Sequence, residues 1–136
     1  MINGKELMIG DYVAIAEYDS LGVGVVKEIH ADGEEMCISI DGQVCDVLAD
    51  KDISALFLSK IFFLENGFEE LRAFEALHIN ETYSLLCNGD IKAVVKIIHG
   101  DCFKCEVNGI KIEYVHEFQH LMRLLGLSEY ANNLKV

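Results

Sequence analysis

Between residue 11 and about residue 49, apolar and polar positions alternate in short runs, the period of half-buried strands. Within Tyr12–Tyr18, Val13 and Ile15 fall on one face, and Tyr12, Ala14 and Ala16 on the other. Gly22–Ile29 is dense in β-branched residues, and Ala31-Asp-Gly33 reads as a turn. Met36, Ile38 and Ile40 then alternate with Cys37 and Ser39. Asp41-Gly42 separates that run from Val44–Leu48, a strong two-residue hairpin signal. Four short strands at this spacing predict a small barrel or a strongly bent sheet.

Asp50–Leu58 is a connection with apolar anchors at Ile53, Leu56 and Leu58. Ser59 has the chemistry of a helix N-cap before Lys60–Glu65, and Asn66-Gly67 that of a stop. Strand character returns over residues 68–113, although 69–80 fit a strand or a continuing helix equally. Asn88-Gly89-Asp90, Gly100-Asp101 and Asn108-Gly109 mark turns between Leu85-Leu86, the Val94–Ile98 run, Phe103/Cys105/Val107 and Ile110/Ile112. Glu113–Leu125 is the clearest helix. Leu121, Tyr114, Leu125, Phe118, Met122 and Val115 share an apolar arc of about 120°, and Gly126 ends it. This arc predicts Val115, Phe118, Met122 and Leu125 buried against the second sheet, with His116, His120 and Arg123 accessible.

The expected fold is therefore α+β. A small SH3-like β-barrel occupies residues 1–56. A short helix, a second antiparallel sheet and a packed C-terminal helix occupy 57–136, unless the two regions form one continuous domain.

Charge narrows the function classes. Residues 1–68 hold 13 acidic against 4 basic side chains, net −9, and the whole chain carries −12. Nucleic-acid binding works by neutralising phosphates with Lys and Arg, so a polyanion is disfavoured, as is an anionic membrane surface. A basic or neutral protein is the partner expected. No run reaches the ~18 consecutive apolar residues of a membrane span. The N-terminal stretch lacks a basic region followed by an apolar core, so no export signal is expected. The five cysteines, Cys37, Cys45, Cys87, Cys102 and Cys105, are then expected to be reduced thiols in a cytoplasm.

His116-Glu-Phe-Gln-His120 spells H-E-x-x-H. Two His four apart on a helix can hold one zinc, with Glu117 as general base on the metal-bound water. Three features oppose that chemistry. The pair lies opposite the centre of the apolar arc, which predicts a solvated face. Arg123 projects beside it. Catalytic zinc also needs a third protein ligand, yet Glu129 is the sole acid or His after His120, and Arg123 and Gly126 stand where the extended motif requires Gly and His. A third ligand would have to come from His30, His78 or His99.

Cys102-Phe-Lys-Cys105 is a C-x-x-C with His99 and Cys87 near in sequence, so a structural zinc site can be written for it. On a strand, however, Cys102 and Cys105 face opposite ways, and a buried Cys acting as a small hydrophobe is the expectation. Gly22-x-Gly24 lacks the third Gly and the following helix of a dinucleotide loop. No G-x-S-x-G occurs.

Three segments carry a resemblance. Lys5-Glu-Leu-Met-Ile-Gly-Asp-Tyr-Val13 resembles the K-E-L-R-I-G-N-Y-V start of a group of small uncharacterised Bacteroidetes proteins, many encoded on phage or conjugative elements. Ile112-Glu-Tyr-Val-His-Glu-Phe-Gln-His-Leu121 is similar to that group's I-x-Y-V-H-[EQ]-L-Q-N-L, and Leu58–Phe68 to its L-T-x-x-x-L-x-x-x-G-F helix. The resemblance implies no known activity. It places Asn where this chain has His120, which counts against a zinc motif. The expected function is a non-enzymatic, protein-binding module or accessory of a mobile element, with no cofactor. The alternative is a small zinc-dependent hydrolase using His116, Glu117 and His120.

Overall fold

The computed structural model describes residues 4–17, 20–30, 32–40, 42–48, 52–76, 81–98 and 102–136. The fold is α+β, with two five-stranded antiparallel sheets and a few helices. The first sheet holds β1 (Tyr12–Glu17), β2 (Ser20–Ile29), β3 (Glu35–Ile40), β4 (Gln43–Leu48) and β5 (Ile53–Ser54), in the order β4-β3-β2-β1-β5. The second holds β6 (Glu69–Ala76), β7 (Glu81–Asn88), β8 (Ile91–Ile98), β9 (Cys102–Val107) and β10 (Ile110–Ile112), a plain meander. Residues 69–76, ambiguous by pattern, are strand. The helices are α1 (Lys60–Glu65), α2 (Val115–Leu124) and α3 (Ser128–Ala131).

Alternation along β1 to β3 builds the first core. Val13, Ile15, Val26, Met36 and Ile38 point inward with Leu7 and Ile53, and all are buried. Gly24 is buried between them, where a Cβ would overlap the side chains of Ile15 and Ile38. Ile40 pairs with Gln43 across the expected hairpin, where Gly42 has φ +84°. Its partner in the turn, Asp41, lies outside the described residues. A register shift between Val26 and Glu28 marks a bulge at Lys27. Val26 faces the core before it and Ile29 packs against the core after it, so the bulge turns Glu28 outward.

In the second sheet, Leu86, Ile91, Ala93, Val95, Cys105, Val107 and Ile112 form the buried side. Helix α1 starts where expected: the Phe62 N–H donates to Ser59 Oγ at 3.1 Å. It contributes Phe62 and Phe63, with the Phe63 and Phe68 rings edge to face at 5.1 Å. At Asn108-Gly109 both residues have positive φ, +50° and +81°, as a type I′ hairpin turn requires.

The placement of the C-terminal helix corrects the expectation. Two compact units form, one of residues through Leu56 with Tyr114–Leu134 and Val136, the other of Phe57–Glu113 with Lys135. Helix α2 therefore belongs with the first sheet, not with the second. Its side chains bond to residues 10–12, which ties it there.

Candidate functional site on helix α2

Val115, Phe118, Leu121 and Met122 are buried as the apolar arc predicts. Leu125 is not, being half exposed beyond the helix end. The polar side departs further from expectation. His116 is 3% exposed, Gln119 fully buried, and the side chains of His120 and Arg123 only 25% and 13% exposed. The cause is a second covering layer, the segment from Met8 to Tyr12.

Asp11 is the hub of that layer and is fully buried. Its Oδ2 accepts from the Met8 N–H at 2.8 Å and from His120 Nε2 at 2.6 Å. Its Oδ1 accepts from Arg123 Nη1 at 2.6 Å. A carboxylate offers about four lone-pair sites, so three donors satisfy most of its capacity. Arg123 Nη2 also donates to Asn132 Oδ1 at 3.0 Å. Gly10 sits under this guanidinium at φ +94°, where an added Cβ would lie 3.0 Å from both Arg123 Nη2 and Asn132 Oδ1.

Gln119 secures the adjacent backbone. Its Nε2 donates to the carbonyls of Gly10 and Ala131, at 3.0 and 2.9 Å, and its Oε1 accepts from the Tyr12 N–H at 2.8 Å. A buried amide with three bonds to main-chain groups is a structural splice, because each of those groups would otherwise be left without a partner.

Glu117 stands at the third position of α2, and its Oε1 accepts from the Tyr114 N–H at 3.1 Å. That is the glutamate half of a capping box, a reach back to the helix start. The His116 ring stacks on Tyr114 at 5.6 Å with an interplanar angle of 8°, and meets His120 edge to face at 5.7 Å. Burial pushes the His116 imidazole below its ordinary value; the Asp11 carboxylate opposes this and His120 adds to it. Among the described residues, His116 Nδ1 has no hydrogen-bond partner.

The expectation of a solvated, unconverged His pair is thus corrected: Asp11 meets His120 at hydrogen-bond distance. Because a carboxylate only accepts, His120 Nε2 is the donor in this contact. Of the upstream residues considered as third ligand, His30 lies beside Cys37 and Asp46, and these three donor atoms gather within 4.8 Å of one another. His78 and His99 lie outside the described residues, as does the Cys102 side chain, so the C-x-x-C geometry is not described. Cys105 is buried, and burial pushes its thiol up to about 12, the behaviour of a small hydrophobe.

Sequence reasoning missed Asp11, Gln119 and the cluster at His30. No helix among the described residues is long and apolar enough to cross a membrane. No family model, no curated protein and no solved structure matches this chain.

Proposed function

We propose that the chain is a cytoplasmic, non-enzymatic, protein-binding module built on an SH3-like barrel, an accessory of a mobile element. The observation that carries the non-enzymatic reading is the use already made of two of the three groups a hydrolase would need, Glu117 and His120. Glu117 accepts from the start of its own helix, and His120 and Arg123 are held by Asp11. The order β5-β1-β2-β3-β4, with a short fifth strand returning to the first, supports the SH3-like reading. The mobile-element reading rests on the three resembling segments. Where the resembled pattern has Asn at both positions, this chain has Asp11 and His120, bonded to each other.

A protein partner is favoured by the apolar side chains flanking the Asp11 latch. Met8 and Ile9 on one side, and Leu124, Leu125 and Leu127 on the other, are exposed, Leu124 to 84%. Exposed apolar side chains on a chain of net charge −12 suit a neutral or basic protein surface and disfavour a polyanion.

A photo-crosslinker placed at Leu127 in the native host tests this. One defined protein adduct is expected, lost in Leu124→Asp with the fold unchanged. The rival reading, a zinc hydrolase, draws on one observation, the unpartnered Nδ1 of buried His116. Zinc-dependent peptide hydrolysis abolished by Glu117→Gln, with no adduct, would replace the first reading by the second.

A further inference from the structure

The outer face of the first sheet gathers a set of side chains that neither the core nor the α2 latch uses. Strand pairing sets Glu28 opposite Cys37, and Cys37 opposite Asp46, so three adjacent strands present these residues in one row. All three lie on the side away from Val26, Met36 and Ile38. The bulge at Lys27 is what makes this possible. With strict alternation Glu28 would point the same way as buried Val26; the extra residue reverses the phase and carries Glu28 outward.

His30 continues the row past the end of β2, where its N–H donates to the Glu35 carbonyl at 3.0 Å. Its Nδ1 lies 3.7 Å from Glu35 Oε2. Cys37 Sγ is 2.9 Å from Asp46 Oδ1. One nitrogen, one sulfur and one carboxylate oxygen, from His30, Cys37 and Asp46, all lie within 4.8 Å of one another.

We propose that this face is a zinc-binding site in which an imidazole nitrogen of His30, Cys37 Sγ and a carboxylate oxygen of Asp46 are the protein ligands. Donor chemistry selects the metal. Imidazole, thiolate and carboxylate together suit Zn²⁺, whereas Mg²⁺ and Ca²⁺ take all-oxygen shells. Tetrahedral Zn–N, Zn–O and Zn–S bonds of about 2.0–2.3 Å put ligand atoms roughly 3.4–3.6 Å apart, so the three donors need only small side-chain movements. Glu28 and Glu35 add negative charge on the same face, and His30 and Asp46 are exposed.

The ligands already share a proton that the metal would replace. The Cys37 thiol lies 2.9 Å from the Asp46 carboxylate oxygen, and a thiol, with an ordinary pKa of ~8.5, carries its proton at neutral pH. Zinc uptake forms the Zn–S bond and releases that proton to solvent, about one per metal ion, with no change of oxidation state. The site is independent of the α2 latch and of the proposed function.

The test uses the full chain, reduced with a non-thiol reductant, stripped by a chelator and titrated with Co²⁺ and then Zn²⁺. A thiolate-to-cobalt absorption band should appear at one metal per chain, vanish as zinc displaces cobalt, and be accompanied by about one released proton. Losing a mere outer-shell partner lowers metal affinity ~10–100-fold, so Cys37→Ser should abolish the band and weaken zinc binding by at least about 100-fold. His30→Gln, at an exposed position, should keep the band and weaken zinc by at least about tenfold. Cys105→Ser and Glu117→Gln should change neither. Absence of the band in the unmodified chain, its survival in Cys37→Ser, or unchanged affinity in His30→Gln would each overturn the proposal.

Discussion

Asp11 and His120 stand 109 positions apart in the chain and 2.6 Å apart in the fold, with Asp11 fully buried. Arg123 reaches the other oxygen of the same carboxylate, also at 2.6 Å. Together they clamp the segment before β1 onto helix α2.

Removing the hub should be severe. Asp11→Ala leaves two donor side chains and the Met8 N–H without their acceptor. Breaking a buried ion pair by deleting one partner typically costs about 3–5 kcal/mol. Urea unfolding followed by far-ultraviolet circular dichroism should show a loss in that range. A loss under about 1 kcal/mol would mean the clamp does not hold in solution.

Gln119→Leu keeps the volume roughly constant and deletes three bonds to main-chain groups of Gly10, Tyr12 and Ala131. Each orphaned buried group costs about 1–3 kcal/mol, so a total of at least about 3 kcal/mol is expected. Amide hydrogen exchange at Tyr12 should accelerate in step. Unchanged protection there would refute the assignment.

Phe118→Ala tests the apolar side of the same helix. Phe118 is fully buried and meets Tyr130 edge to face at 6.3 Å. Truncating a buried aromatic costs about 3–5 kcal/mol, which should appear as a lowered denaturation midpoint with the slope unchanged.

His116 predicts a pH dependence. Its folded-state value is lowered, chiefly by burial, from an ordinary 6.5. The unfolded chain therefore binds more protons in the interval just below 6.5, and stability falls as the pH drops through it. The contribution is complete above about 6.5. His116→Phe, which retains a ring to stack on Tyr114, should flatten the stability profile in that interval relative to the unmodified chain. Identical slopes for the two would exclude a buried neutral imidazole.

What could be read from the chain was local. Ser59, Asp41-Gly42 and Asn108-Gly109 announce a cap and two hairpins because each acts on main-chain atoms within a few residues. The alternation of Met36, Ile38 and Ile40 likewise predicts β3 without reference to any partner. Asp11 could not be found this way, since an acidic residue between Gly10 and Tyr12 looks like ordinary surface until its partners arrive from α2. The helical pattern of α2 misled for a related reason. An apolar arc locates one covering layer, and the opposite side is solvated only if nothing else covers it. Here the second cover is main chain, which Gln119 meets with amide groups rather than hydrocarbon. The row of Glu28, Cys37 and Asp46 was hidden by the Lys27 bulge, which breaks the two-residue period on which a reading by alternation depends.

The order in which the chain is made gives the Asp11 clamp a further meaning. Synthesis from the N-terminus produces Asp11 109 residues before His120 and 112 before Arg123. All five strands of the first sheet, and the whole of Phe57–Glu113, leave the ribosome while that carboxylate still lacks its side-chain partners. Closure of the first unit thus waits for α2 and α3, whereas the residues of the second are synthesised earlier apart from Lys135. A chain interrupted before α2 would carry a first sheet whose Asp11 lacks both side-chain partners. Synthesis of α2 thus becomes the step that commits the first unit to its final form.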